Sequence, residues 1–190
     1  ADLAKELNVG RSSLRDGIKI LTAYGVVESR QGEGTFITDN VARNFFEFMG
    51  FFPSKENSEY LIELRRVIEV GNIAAIYDRV TPEQYNEIEQ LVDVFDEEHT
   101  IDEYVEADYN FHNMLIEITG NPMLIQVNNM IAQMRRDLLY RMFSHPEIIQ
   151  DARFSHRQIF NCLKAKDRNA CISAVADHIS TTRERIKSVY

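Results

Sequence analysis

The chain has 190 residues, enough to bury a core and to hold one domain with a fragment or two small domains. Its 44% hydrophobic and 27% charged content describes an ordinary soluble protein, with no apolar run near the ~18 residues of a membrane helix and no signal-peptide pattern. The net charge of −9 argues against a generic nucleic-acid binder, because neutralising phosphate takes Lys and Arg. Residues 1–40 carry five Lys/Arg against six Asp/Glu, and residues 41–190 carry 16 against 24, so any DNA contact must rest on where charges sit. The two cysteines, Cys162 and Cys171, lack metal-type spacing and read as reduced core thiols of a cytoplasmic protein.

Residues 1–37 predict two short helices around a tight turn and then a hairpin. Leu3 and Leu7 fall four apart on the first helix, and Asn8-Val9-Gly10 supplies the turn. Ser12 or Ser13 can open the second helix, in which Leu14, Ile18 and Leu21 mark the buried side. Arg11, Arg15 and Lys19 step by four along its exposed flank. Val26 and Val27, then Thr35, Phe36 and Ile37, bracket Gly32-Glu33-Gly34 and suit a two-stranded wing. On spacing alone, an amphipathic helix pair with a solvated basic face remains an alternative.

The text LAKELNVGRSSLRDGIKILTAYGVVESRQGEGTFI closely resembles the DNA-reading half of the GntR family of bacterial repressors, LA..LGVSR..VREAL..L...GLV....G.GTFV. The resemblance implies a winged helix-turn-helix, with Arg11, Ser12, Arg15 and Lys19 at the DNA and Arg30 and Gly34 at the backbone beside the wing. Glu33 departs from the family, which often has a basic or neutral residue there. Complete winged helices carry a further helix ahead of this motif, so about 25 to 35 residues are expected before Ala1.

Residues 38–43 read as a hinge. Phe45, Phe46, Phe48, Phe51 and Phe52 read as a packing plug, with an aromatic ligand cage as the alternative. From Ser58 onward the period is helical. Ser58 is expected to cap a helix buried through Leu61, Leu64, Ile68 and Ile73, and Thr81-Pro82 opens the next. Helices follow over 101–119, 123–143, 148–165 and 167–189, broken by Gly120-Asn121-Pro122 and His145-Pro146. The fold class is mainly α: a truncated winged helix-turn-helix over 1–38, a linker and aromatic segment over 39–57, and an antiparallel all-helical bundle over 58–190.

Asp108 and His112, four apart, share a helix face with Val105, Leu115 and Thr119. His156 sits in the stripe Ile149, Ala152, Phe160 and Leu163; His178 sits in the stripe Cys171, Val175 and Thr182. Three imidazoles and a carboxylate are costly to bury unless they satisfy one another or a cation. Nitrogen donors with one carboxylate suit a divalent transition metal such as Zn, Ni or Mn. His99 and His145 read as surface residues.

This part resembles the FCD effector domain of the FadR subfamily within the GntR regulators. The pieces are Arg65-Arg66-Val67-Ile68-Glu69, Asp108-Tyr109-Asn110-Phe111-His112, Gly120-Asn121-Pro122-Met123-Leu124 and His156-Arg157-Gln158-Ile159, then Asp167 with Ala170, and His178. The resemblance implies a metal held by Asp108, His112, His156 and His178. Open coordination positions would face a small carboxylic acid, gripped by Arg65, with Asn128 and Arg135 on the edge of the Leu124, Ile131 and Leu138 stripe as further candidates. A helix-surface salt bridge with Glu69 is the plain alternative for Arg65.

The expected function is a ligand-responsive repressor, a homodimer on pseudo-palindromic operator DNA, not associated with membranes. The competing expectation is a metal-dependent enzyme acting on a small carboxylate. The inner helix faces show no spare Glu or His placed as its general base.

Overall fold

The computed structural model describes residues 2–38, Val41, Asn44 and 55–189, with side chains from Leu3 and from Asn57 in the two long stretches. The phenylalanine cluster from Phe45 to Phe52 lies outside the described residues. The chain divides into two compact units, residues 1–52 and 53–190.

In the first unit, α1 (Asp2–Glu6) leads through Asn8, whose φ of 51° turns the chain, into α2 (Arg11–Ala23). Gly10 is the N-cap, and its carbonyl accepts the first helical bond from the Leu14 amide. The helix therefore opens at Arg11, ahead of the expected Ser12 or Ser13, with no side chain capping it. Gly25, at φ 66°, turns α2 into the hairpin; a Cβ there would lie 2.4 Å from that of Asn44. Thr38 Oγ1 and Asn44 Nδ2 donate to the Gly25 carbonyl at 2.6 and 2.9 Å. Strands β1 (Val27–Arg30) and β2 (Gly34–Ile37) pair antiparallel, from Val27 opposite Ile37 to Arg30 opposite Gly34, leaving Glu33 at the tip. Leu14 and Ile18 are only half-buried and Leu21 is exposed; Ala4 is the one fully buried residue among those described in this unit. The expected buried stripe of α2 is thus only partly covered.

Among the described residues, the second unit contains six long helices: α3 (Lys55–Ile76), α4 (Pro82–Asp93), α5 (Ile101–Glu117), α6 (Pro122–Phe143), α7 (Pro146–Ala165) and α8 (Arg168–Val189). Thr81 caps α4 in a reciprocal box with Gln84, and Thr100 does the same for α5 with Glu103. Asn121 accepts from the Met123 and Leu124 amides to open α6. One apolar core runs through the bundle, including Ile88, Phe111, Ile159, Leu163 and Ile179.

Two expectations for α3 are corrected. Ser58 does not cap it, because the helix is already formed at Lys55 and Ser58 is buried within it. Leu64 does not face the core: it is 45% exposed, whereas its neighbour Arg65 is 3% exposed. The face that α3 turns inward carries Arg65, Glu69 and Asn72 between Leu61, Ile62 and Ile73.

Candidate metal centre

Five helices contribute buried polar side chains to one place in the second unit. They are Arg65 and Glu69 from α3, Asp108 and His112 from α5, Arg135 from α6, His156 from α7 and His178 from α8. The imidazoles of His112, His156 and His178 each offer a nitrogen within 4.8 Å of the others. His112 Nε2 and His178 Nε2 are 3.2 Å apart. Asp108 Oδ1 lies 3.7 Å from His112 Nε2 and 3.5 Å from His156 Nε2. Donors about 2.1 Å from a shared ion stand about 3.0 to 3.4 Å apart in octahedral or tetrahedral placement; the His112–His178 and Asp108 spacings are near that range, and the wider histidine spacing, up to 4.8 Å, would have to close around an ion.

The partners on the far side of each ring fix what faces the centre. Ser155 Oγ donates to the Asp151 carbonyl at 2.7 Å and so accepts from His178 Nδ1 at 2.8 Å. His112 Nδ1 faces Glu69 Oε2 at 2.9 Å, off the ideal hydrogen-bond line. Both arrangements assign the proton to Nδ1 and turn the Nε2 lone pair inward, that of His112 toward the Arg65 guanidinium 3.1 Å away. His156 is fully buried between Phe111, stacked at 4.4 Å, and Phe95, edge-on at 5.1 Å, and neither of its nitrogens has a hydrogen-bond partner.

Charge and burial keep these rings neutral. Burial pushes His156 down to about 3, with His112 and Arg65 adding to it against the opposing Asp108. Burial also lowers His178 well below the usual range, reinforced by His156 and His112, and lowers His112 despite Glu69 beside it. Burial alone would raise the Glu69 carboxyl, but Arg65, His112 and Arg135 outweigh it and hold the group well below the carboxylate range. Asp108 is lowered in the same balance by His112, Arg135 and His156. Neutral imidazoles and an ionised carboxylate are the protonation states that bind a cation.

Residues 60–181 match the model of the FCD domain, and residues 1–37 match that of bacterial regulatory proteins, gntR family. The chain belongs to the gntR family, with an FCD domain. It is 24% identical to the HTH-type transcriptional regulator LutR of Bacillus subtilis, over 99% of this chain and 90% of that protein. It is 21% identical to the galactonate operon transcriptional repressor of Escherichia coli, over all of this chain and 86% of the relative. Among solved structures, a Streptococcus agalactiae GntR protein superposes with a TM-score of 0.64 at 26% identity, over 96% of this chain and 86% of that one. These matches make it a transcription regulator with a DNA-binding segment, not an enzyme.

Within the FCD domain, Arg65 is not the surface side chain of the plain alternative. Its Nε donates to Glu69 Oε1 at 2.6 Å and its Nη2 lies 3.1 Å from His112 Nε2, both pairs buried. Arg135 lies 3.5 Å from Glu69 Oε1 and 3.7 Å from Asp108 Oδ2, and its Nε and Nη2 have no hydrogen-bond partner. Burial brings it down to about 10, with Arg65 adding to the effect. Asn128 is placed differently: its amide donates to Asn113 Oδ1 at 2.6 Å. Glu69 and Ser155 were not among the expected site residues. The four-residue step from Arg65 to Glu69 was the available signal for the first; a serine beside His156 gave none for the second.

In the gntR segment, Arg11, Ser12, Arg15, Lys19, Arg30 and Gly34 are all exposed. Lys19 pairs with Asp16 at 3.2 Å. Arg30 donates to Glu28 at 2.7 Å and lies over the Phe36 ring at 4.8 Å, which stiffens it beside the wing. Among the described residues, no helix is long and apolar enough to cross a membrane.

Proposed function

We propose that this protein is a metal-containing, acid-responsive repressor, with Asp108, His112, His156 and His178 holding one divalent transition ion, Zn, Ni or Mn. The observation that carries this reading is the pair of inward Nε2 lone pairs of His112 and His178, 3.2 Å apart beside an ionised carboxylate. The Arg65 guanidinium, 3.1 Å from His112 Nε2, meets one of these lone pairs, and a metal ion would meet the rest of the set. When bound, the ion supplies a Lewis-acidic position for an oxygen ligand.

The charge balance supports an anionic effector. With neutral imidazoles, Arg65 and Arg135 are matched by Glu69 and Asp108, so a divalent ion leaves the buried site two positive charges in excess. A small carboxylate offsets one of these charges, and Arg65 and Arg135 are the cations in reach. Relatives named for a galactonate operon and an L-lactate dehydrogenase operon support a small acid as the signal. One recognition helix reads a half-site, so the working form is a homodimer on pseudo-palindromic DNA in the cytoplasm. Tyr60, Leu64 and Val67, exposed in a row on α3, support a protein contact there. In α2, Arg11 and Arg15 contact bases or phosphates, with Ser12 and Lys19 beside them; Glu33 weakens contact at the wing tip.

Metal analysis of the purified protein, followed by mobility shifts with operator DNA, tests this reading. About one ion per chain is expected, with DNA affinity changing when a bound acid is added. The double variant His156→Ala, His178→Ala should retain no metal after gel filtration. Unchanged metal content in that variant overturns the ligand assignment.

A further inference from the structure

His156 is held differently from the other two histidines of the centre. His112 and His178 each have a polar group behind the ring, Glu69 and Ser155. His156 is fully buried with its Nε2 3.5 Å from Asp108 Oδ1, and neither of its nitrogens has a hydrogen-bond partner. A metal-bound imidazole ordinarily donates its second N–H to an acceptor, and that bond sets the orientation of the ring. Around His156 aromatic rings stand where that acceptor would be. Phe111 stacks on it at 4.4 Å with 28° between the planes, and Phe95 meets it edge-on at 5.1 Å and 80°. The second side-chain torsion of a histidine is broad, so a ring without such walls could turn Nε2 away from Asp108.

Phe111 adjoins His112 on α5, whereas Phe95 comes from outside the helices that carry the ligands. It sits on the single 3₁₀ turn Val94–Asp96, between α4 and α5. That turn is fastened on two sides. Inside, Phe95 is 2% exposed and meets the rings of Tyr104 at 5.4 Å and Phe143 at 5.8 Å. The Tyr104 hydroxyl donates to the Glu97 carbonyl at 2.8 Å and accepts from the His99 amide at 3.1 Å. Outside, Arg153 Nε donates to Asp96 Oδ1 at 2.8 Å, and Arg157 Nη2 donates to Asp96 Oδ2 and, at 2.6 Å, to Asp93 Oδ1. Arg153 and Arg157 stand three residues before and one residue after His156 on α7. One stretch of α7 therefore carries both the imidazole and the cations that hold the turn of Phe95 against it.

We propose that Phe95 is the positioning residue of His156: strapped to α7 through Asp96, its ring fixes by contact an imidazole that hydrogen bonding leaves free. This rests on the reading of Asp108, His112, His156 and His178 as a metal centre. Removing the Phe95 ring leaves all four ligands in place but returns rotamer freedom to one of them, which binding must then remove.

Co²⁺ is the probe, because its visible absorption reports coordination geometry. The full chain is loaded with it as wild type, Phe95→Leu, Phe160→Leu and Asp96→Asn, and competition with a chelator gives the affinity. Phe95→Leu should bind about tenfold more weakly, with an altered spectrum. Phe160→Leu is the control for lost packing: that ring is 1% exposed, and its contacts are Tyr85 and Lys164. It should lose stability in urea as Phe95→Leu does, yet keep the wild-type affinity and spectrum. Asp96→Asn loosens the strap from outside and should weaken binding about twofold, a difference that high salt removes. A Phe95→Leu protein with wild-type affinity and spectrum, or a Phe160→Leu protein weakened as much, overturns the positioning role. An Asp96→Asn protein with wild-type affinity overturns the strap. Failure of the wild type to bind Co²⁺ overturns the metal centre itself.

Discussion

In residues 2–38, Lys19 and its counter-ion Asp16 are 71% and 67% exposed, whereas in the helical unit Arg65 and Glu69 are 3% and 8% exposed at a shorter distance. Arg11 and Arg15 also stand in solvent. Exposed pairs contribute about 0–1 kcal/mol and are screened by salt. Buried pairs are costly to form and costlier to break, because the surviving partner is left in a medium that cannot solvate it. The same residue types therefore serve opposite ends. The first unit keeps its cations available to a large anion outside, and the second commits its cations to carboxylates already inside.

The sharpest way to break the comparison is Arg135→Ala. Arg135 faces both Glu69 and Asp108, so its removal leaves two buried carboxylates with one guanidinium. A loss of about 3–5 kcal/mol in urea unfolding of the metal-free protein is expected. A loss below about 1 kcal/mol would mean that the centre behaves as a surface pair and that the contrast between the units is wrong. A second, smaller effect is expected for Glu69→Gln. The amide keeps the size of the side chain but weakens the hold on the Nδ1 proton of His112, so metal affinity should fall about 10–100-fold. Competition with a chelator of known affinity measures it, and an unchanged affinity would remove Glu69 from the ligand-orienting role.

Much of this arrangement was legible in the sequence. The gntR and FCD segments could be recognised from their text, and the Asp108 and His112 pair could be placed on one helix face from a four-residue step. The six-helix reading of the bundle holds, with ends shifted by one to three residues. What the sequence concealed sits in the middle of α3, where the inner face is polar although Leu61, Ile62 and Ile73 are buried on it as well. Leu64 and Val67 face out, and Arg65, Glu69 and Asn72 face in, so a rule that buries the apolar residues places Leu61 and Ile73 correctly but misplaces Leu64 and passes over the polar residues between them. That rule fails where a buried site must be polar, and it hid Glu69 from the site residues. Asn128 was concealed for another reason: its position on the edge of a stripe does not say which neighbour its amide meets, and that neighbour is Asn113.

The smallest effect concerns Lys19, and it sharpens the other side of the comparison. Its ion pair with Asp16 bridges one turn of α2 in full solvent, so Lys19→Ala should leave thermal unfolding unchanged. If Lys19 meets a phosphate, its removal returns counter-ions to the DNA, and the slope of log affinity against log salt should become shallower by about 0.9. Asp16→Asn separates the two roles. It removes the intrahelical partner and a negative charge beside the DNA, so affinity should rise, most clearly at low salt where screening is weakest. A Lys19→Ala protein with the wild-type salt slope would take that residue out of the DNA contact while leaving Arg11 and Arg15 in it. Unfolding and salt slope therefore answer separate questions about one side chain, which is possible only because its charge is not committed within the fold.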